Sequence, residues 1–320
     1  MNWKIPALLA IIMLLGASAA CAGALHEGLF RIAYPEGEER TAAVTLAAMQ
    51  DFLDQWGDRL DPGTAPIIVH ICATQRDFAA RAGFSPPPKV GGVAHAEDGI
   101  IVLRTPGQLP NPRYYEGVAR HELVHVLLAR NTDTNRLPRW LNEGIAMHIS
   151  GEYRWSSSFH VARMYLADSL FTYDDLMLNF SLIQREQPFG DLYAQSLSMT
   201  AYLYNYLGED AFWEMVFALR GQDFPTAFAQ HAGMTPPEFW EVWRRSLWKV
   251  AVISSVVSGF GVFQFMALLA IVAYLRKRQR NRRTLAAWDK EDAENEPFMT
   301  VWDLERDSEY PWEQDEGERL

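Results

Sequence analysis

The stretch His121-Glu122-Leu123-Val124-His125, with Leu137-Pro138-Arg139-Trp140-Leu141-Asn142-Glu143-Gly144-Ile145-Ala146 close behind it, decides how this chain is read. Residues four apart on an α-helix are separated by about 40° around the axis and about 6 Å along it. Both imidazoles therefore leave one face and can reach a single ion. Glu122 sits beside them, within reach of a water at that ion. Leu123, Val124, Val126 and Leu127 occupy the other faces, so this helix is expected to be buried. Two histidines and a glutamate on a buried apolar helix are unfavourable unless something satisfies them, and a metal does.

A catalytic zinc takes three protein ligands and leaves its fourth place open. Glu143, 18 positions after His125, is the candidate for the third. Pro138 suits the first turn of a second helix. Helix, turn and return would bring the Glu143 carboxylate back to the first helix. The patterning predicts helices over 115–130 and 137–148.

Upstream, Val44, Leu46, Met49, Phe52, Leu53 and Trp56 recur at helical spacing over 41–60, and Asp61-Pro62-Gly63 stops them. Residues 23–40 read as a short strand and turn. Ile67-Ile68-Val69-His70-Ile71-Cys72 and Gly99-Ile100-Ile101-Val102-Leu103 read as strands, with a short helix over 74–82 between them. Downstream, helices are expected over 159–170, 191–207, 211–219 and 236–248, with Gly208 ending the second of these. A strand-bearing first half before a helical second half implies an α+β domain. His70 faces away from Val69 and Ile71, so it is expected to be exposed or bonded to a partner. Cys72 reads as a buried strand residue. His148 falls off the Glu143 face and reads as a packing residue. His160 reads the same way, with a place along a cleft as its alternative.

The two ends carry different signals. Within residues 1–22, Lys4, the apolar run 5–16 and Ala17-Ser18-Ala19-Ala20-Cys21-Ala22 have the form of a secretory signal peptide. Lipid attachment at Cys21 and an uncleaved anchor are the alternatives. Ser18 stands where a lipidation site usually carries a large aliphatic residue. Residues 250–275 hold no charge between Lys249 and Arg276, and they are long enough to cross a bilayer of about 30 Å. Arg276, Lys277, Arg278, Arg280, Arg282 and Arg283 crowd one end, which puts the C-terminus on the cytoplasmic side. Trp240, Trp243 and Trp248 at the other end suit the interface. The expected organisation is a signal at 1–22, an extracytoplasmic domain at 23–249, a transmembrane helix at 250–275 and a cytoplasmic segment at 276–320. The net charge is −11, but residues 284–320 hold 13 acidic and 3 basic side chains and carry nearly all of it. This acidic tail, with Trp288, Trp302 and Trp312, reads as a docking segment for a cytoplasmic partner. The rest is close to neutral, and no basic patch suggests nucleic acid.

The stretches around His121 and Glu143 resemble the peptidase MA-like group of gluzincins, zinc peptidases whose third ligand is a glutamate on a downstream helix. The likeness extends to Tyr193-Ala194-Gln195-Ser196, opening a helix that ends at Tyr206-Leu207-Gly208-Glu209, and to Glu238-Phe239-Trp240-Glu241-Val242-Trp243. It covers roughly residues 66–247. The resemblance implies a small sheet plus a helical half, Zn2+ held by His121, His125 and Glu143, and Glu122 as general base. It also implies a peptide or protein substrate, membrane-proximal if the tether holds. Tyr193 matches a tyrosine that recurs in the group. It is read either as a donor to the oxyanion of a tetrahedral intermediate or as a cap on a buried helix. One departure stands out. Some gluzincins carry an acidic residue one turn after the glutamate ligand, where it orients a zinc histidine. Here that place is Met147, which leaves Asn142 or a backbone carbonyl for the task. The competing expectation is a non-catalytic gluzincin-like module for binding or assembly, with its zinc structural or lost.

Overall fold

The computed structural model describes residues 23–151, 155–177, 189–257 and 260–295. The expected signal at 1–22, with Cys21, lies outside these residues, as do Trp302 and Trp312 of the tail. The chain divides into two units, Met1–Val252 and Ile253–Leu320.

Strands β1 (Gly23–Glu27) and β2 (Phe30–Tyr34) form an antiparallel hairpin. Helix α1 (Glu39–Trp56) then crosses over to β3 (Ile67–Cys72), which lies parallel to β2, as such a connection requires. Helix α2 (Gln75–Ala82) starts where the Thr74 hydroxyl oxygen accepts from the Asp77 N–H. Strands β4 (Gly92–His95) and β5 (Ile100–Arg104) pair antiparallel, and β5 lies parallel to β3. Among the described residues the sheet order is β1-β2-β3-β5-β4, which puts β4 at an edge. The β-branched runs of β3 and β5 mark them as strands in the sequence. Strand β4 carries no such mark, since Gly92-Val93-Ala94-His95 has only one β-branched residue.

Strand alternation sorts the side chains between two clusters. Ile67, Val69, Ile71, Ile101 and Leu103 join the main core with Met49 and Phe52 of α1, while Cys72 and Val102 pack on Phe78 of α2 in a smaller cluster. His70, half-buried, has Arg81 Nη1 at 3.1 Å from its Nδ1, the bonded outcome of the two expected.

The second half is helical: α3 (Tyr115–Asn131), α4 (Arg139–Ile149), α5 (Trp155–Leu166), α6 (Tyr173–Met177), α7 (Phe189–Leu207), α8 (Glu209–Ala218), α9 (Phe224–Ala232), α10 (Pro236–Val257) and α11 (Phe260–Asn295). Helix α3 is buried as expected, with Leu123, Val124, Val126, Leu127 and Leu128 all inaccessible. Each such residue stabilises the fold by roughly 1.5–3 kcal/mol. Helix α5 ends earlier than its apolar spacing implies, because Asp168 adopts φ 51° and turns the chain. Helix α4 crosses α7 at Gly144. A Cβ there would stand 2.0 Å from Thr200 Oγ1 and 2.7 Å from the Ser196 carbonyl oxygen, so only glycine permits the approach.

One expectation about the C-terminal side is corrected. Trp243 is buried in the main core, its Nε1 donating to Ser198 Oγ at 3.1 Å. Trp240 packs against the same core and donates to the Phe171 carbonyl at 3.1 Å. Both belong to the domain interior, and of the three tryptophans only Trp248 is exposed. The reason is the helical spacing of Phe239, Trp243 and Leu247, which turns this face of α10 inward. The apolar stretch 250–275 is shared between α10 and α11, with residues 258 and 259 outside the described ones. Among the described residues no helix is long and apolar enough to cross a membrane. Ser254, Ser255, Ser258 and Gln264 lie within the stretch.

Candidate metal centre

Helices α3 and α4 form a pair that brings His121, His125 and Glu143 together. Their candidate ligand atoms all lie within 4.8 Å of one another. The Nε2 atoms of His121 and His125 are 3.1 Å apart. Glu143 Oε2 stands 3.5 Å from the first and 3.7 Å from the second. Ligands about 2.1 Å from a tetrahedral centre stand about 3.4 Å from each other, so the triangle has the right size for one small cation. All three residues are largely buried.

The protonation states fit the same use. Asn142 Oδ1 lies 2.8 Å from His125 Nδ1, and an amide oxygen only accepts, so Nδ1 carries the proton and Nε2 offers its lone pair. Of the two sequence options for this orienting role, Asn142 fills it for His125. Burial lowers the His125 pKa first and foremost, against the upward pull of the Glu143 charge, which favours the neutral ring. For Glu143, burial pushes upward, but His121, His125 and Arg139 together outweigh it and hold the carboxyl down to about 2. The donor set is thus two imidazoles and one ionised carboxylate, a set suited to zinc.

Glu122 is buried at 7% exposure on the same helix turn. Its side chain lies against the backbone of Gly92 on β4, where a Cβ would come within 2.6 Å of Glu122 Cγ. Tyr193, on the second turn of α7, is mostly buried. Burial raises its phenol pKa, the charges of Glu143 and Glu122 raise it further, and Arg139 acts in the opposite sense through its charge and, less, a side-chain hydrogen bond. The phenol thus feels both carboxylates. Helix α7 is anchored nearby, where Gln195 accepts from the Phe171 N–H at 2.9 Å and donates to its carbonyl at 2.8 Å. Of the five residues singled out from the sequence, His121, His125 and Glu143 form one cluster, Glu122 is the chain neighbour of His121, and Tyr193 feels the charges of Glu143 and Glu122.

His148 and His160 stay outside the cluster. His148 packs against the Tyr204 ring with centroids 4.9 Å apart. His160 is bonded to Asp191 on α7, and Arg163 donates to its other nitrogen at 3.0 Å, so it ties α5 to α7. Two contributors were missed. Gly92 gave only the weak signal of a Gly91-Gly92 pair. Arg139, one turn before Glu143, was visible as an i, i+4 partner and makes an ion pair with it.

A family model described as Peptidase MA superfamily matches residues 52–248. The chain belongs to the Peptidase MA superfamily. No curated protein matches it. The Peptidase MA match takes in α3, α4, α7 and the inward face of α10, and so contains every residue of the site. It bears out the resemblance read from the motifs and makes the chain a member of a peptidase family. Peptidase MA proteins are typically metal-dependent, in keeping with the His121, His125 and Glu143 group.

Proposed function

We propose that this protein is a membrane-anchored, zinc-dependent peptidase of the gluzincin type. The observation that carries this reading is the triangle of Nε2, Nε2 and Oε2 at 3.1, 3.5 and 3.7 Å, with a buried carboxylate one residue from the first histidine. His121, His125 and Glu143 would hold the ion, which supplies a Lewis acid that acidifies water and polarises a carbonyl.

The chain's own groups would do the rest. Glu122 accepts the proton of the attacking water and delivers it to the leaving amine. Its burial keeps it close to the reacting atoms and away from bulk solvent. Tyr193 donates to the carbonyl oxygen as charge develops on it. Among the described residues β4 pairs only with β5, which makes it an edge strand, and Glu122 packs against its Gly92. An extended peptide that adds to this edge through main-chain hydrogen bonds lies next to the base.

Anchoring is supported by exposed Phe263, Phe265, Leu268, Leu269 and Ile271 on α11, followed by the basic cluster from Arg276 to Arg283. In this reading residues 250–275 enter the bilayer, the catalytic domain is extracytoplasmic, and the acidic tail is cytoplasmic, available to a partner there. The last buried apolar side chain, Ala251, already lies at the start of this segment, so membrane-proximal proteins or peptides are the expected substrates.

The test is cleavage of a broad peptide library by purified protein with measured zinc stoichiometry, beside Glu122→Gln. The reading expects one zinc in both and turnover in the native protein, reduced by about 10²–10⁴-fold in the variant. Equal proteolysis by the two would sink it. Zinc without cleavage in the native protein would favour the binding module instead. Alkaline extraction of membranes checks the anchor, which fails if the full chain is released.

A further inference from the structure

The two oxygens of Glu143 have different surroundings. Oε2 faces the histidines, at 3.5 Å from His121 Nε2 and 3.7 Å from His125 Nε2. Oε1 faces Arg139, whose Nε is 3.6 Å away, one helical turn earlier on α4. Arg139 is 46% exposed while Glu143 is only 11% exposed, so the cation reaches inward from the surface to a buried carboxylate. The same guanidinium is hydrogen-bonded to Tyr193 on α7. A guanidinium is a planar fork of five donors and can serve two acceptors at once, which an ammonium at the end of a flexible stem does less well.

We propose that Arg139 is a positioning residue that reserves Oε1 of Glu143, so that Oε2 alone meets the cation held with His121 and His125. The proposal rests on the zinc reading above and deepens it. A carboxylate free to turn offers both oxygens to a metal and fills a place that a catalytic site leaves open. Arg139 prevents this by occupying one of them. Its second contact has a separate effect. By donating into a lone pair of the Tyr193 oxygen, it leaves the phenolic O–H to donate elsewhere, toward a substrate carbonyl. One side chain thus sets the ligand oxygen and the direction of the phenol together. Arg139 touches no reacting atom.

The experiment compares the full-length native protein with Arg139→Met and Arg139→Lys. Each is loaded with zinc for X-ray absorption and with cobalt(II) for visible spectroscopy, and folding is checked by circular dichroism. Zinc affinity is measured by competition with a chelator. For Arg139→Met we expect about one more oxygen neighbour around zinc, a weaker cobalt band and about tenfold lower affinity. Arg139→Lys retains a charge beside Oε1 and should keep the native oxygen count, yet lose turnover because it cannot also hold Tyr193. A folded Arg139→Met with the native coordination and spectrum overturns the proposal. Failure of the native protein to bind either metal overturns the zinc reading underneath it, which keeps the two failures apart.

Discussion

His125 donates from Nδ1 to the side-chain oxygen of Asn142 at 2.8 Å, and Asn142 is the chain neighbour of Glu143. A single turn of α4 therefore provides one candidate ligand and orients another. Removing the orienting group leaves His125 free to rotate and to change tautomer. Asn142→Ala is expected to lower zinc affinity by about 10–100-fold. Because Asn142 is not a core residue, the melting temperature of the metal-free protein should change little. Chelator competition with calorimetry checks both statements, and undiminished affinity would contradict the first.

Gly92 is the floor against which Glu122 rests. A Cβ at position 92 would meet Cγ, Oε1 and Cδ of Glu122 at 2.6, 2.8 and 2.9 Å. Gly92→Ala therefore pushes the carboxylate out of place without touching His121 or His125. A 1 Å misplacement of a reacting group reduces rates by about 10²-fold. We expect that loss in kcat with zinc stoichiometry preserved. Kinetics on the purified variant, with metal analysis on the same sample, decide it.

Tyr193→Phe removes the phenolic donor and keeps the ring's packing on α7. Loss of one donor to a developing oxyanion lowers kcat by about 10²–10³-fold. KM and zinc content should stay near native, because the contact is made in the transition state. A variant with full turnover would return Tyr193 to the role of a structural cap.

His70 gives a pH dependence that does not involve the metal. Burial lowers its pKa first, the Arg81 charge lowers it further, and Asp77 opposes them. Arg81 also donates to its Nδ1, which requires a lone pair there. The folded state therefore prefers the neutral ring. Its stabilisation is fully present above the ordinary imidazole value of about 6.5 and is lost as pH falls through the lower folded value. Urea unfolding should show stability declining in that acidic window, with a shallower decline in His70→Gln. An unchanged slope in the variant would remove His70 from the explanation.

The site was legible where its chemistry is local in sequence. His121, Glu122 and His125 announce a helix face by spacing alone, and Glu143 follows at a distance that one turn can close. Strands β3 and β5 showed through their β-branched residues. What stayed hidden depends on contacts that spacing does not encode. Strand β4 carries little strand-forming character and is held by pairing with β5. Helix α9, with Asp223 accepting from the Thr226 N–H at its start, also went unread although its cap residue was visible. Trp240 and Trp243 stand next to a charge-free run, where tryptophan also suits an interface, and only their bonds to the Phe171 carbonyl and Ser198 Oγ separate the two readings.

Gly144 has a consequence for the order in which the molecule can assemble. His121, His125 and Glu143 fall within 23 consecutive residues, and closing so short a loop carries a small entropic penalty. Tyr193 belongs to a helix whose docking includes the narrow crossing that Gly144 allows, a contact more distant along the chain. The ligand set is therefore the early, local part of the domain and the phenol its late, nonlocal completion. On the proposed function, a chain that has folded its first helical pair would be ready for a cation before it is ready to cut, and α7 would be the element whose arrival separates those two conditions.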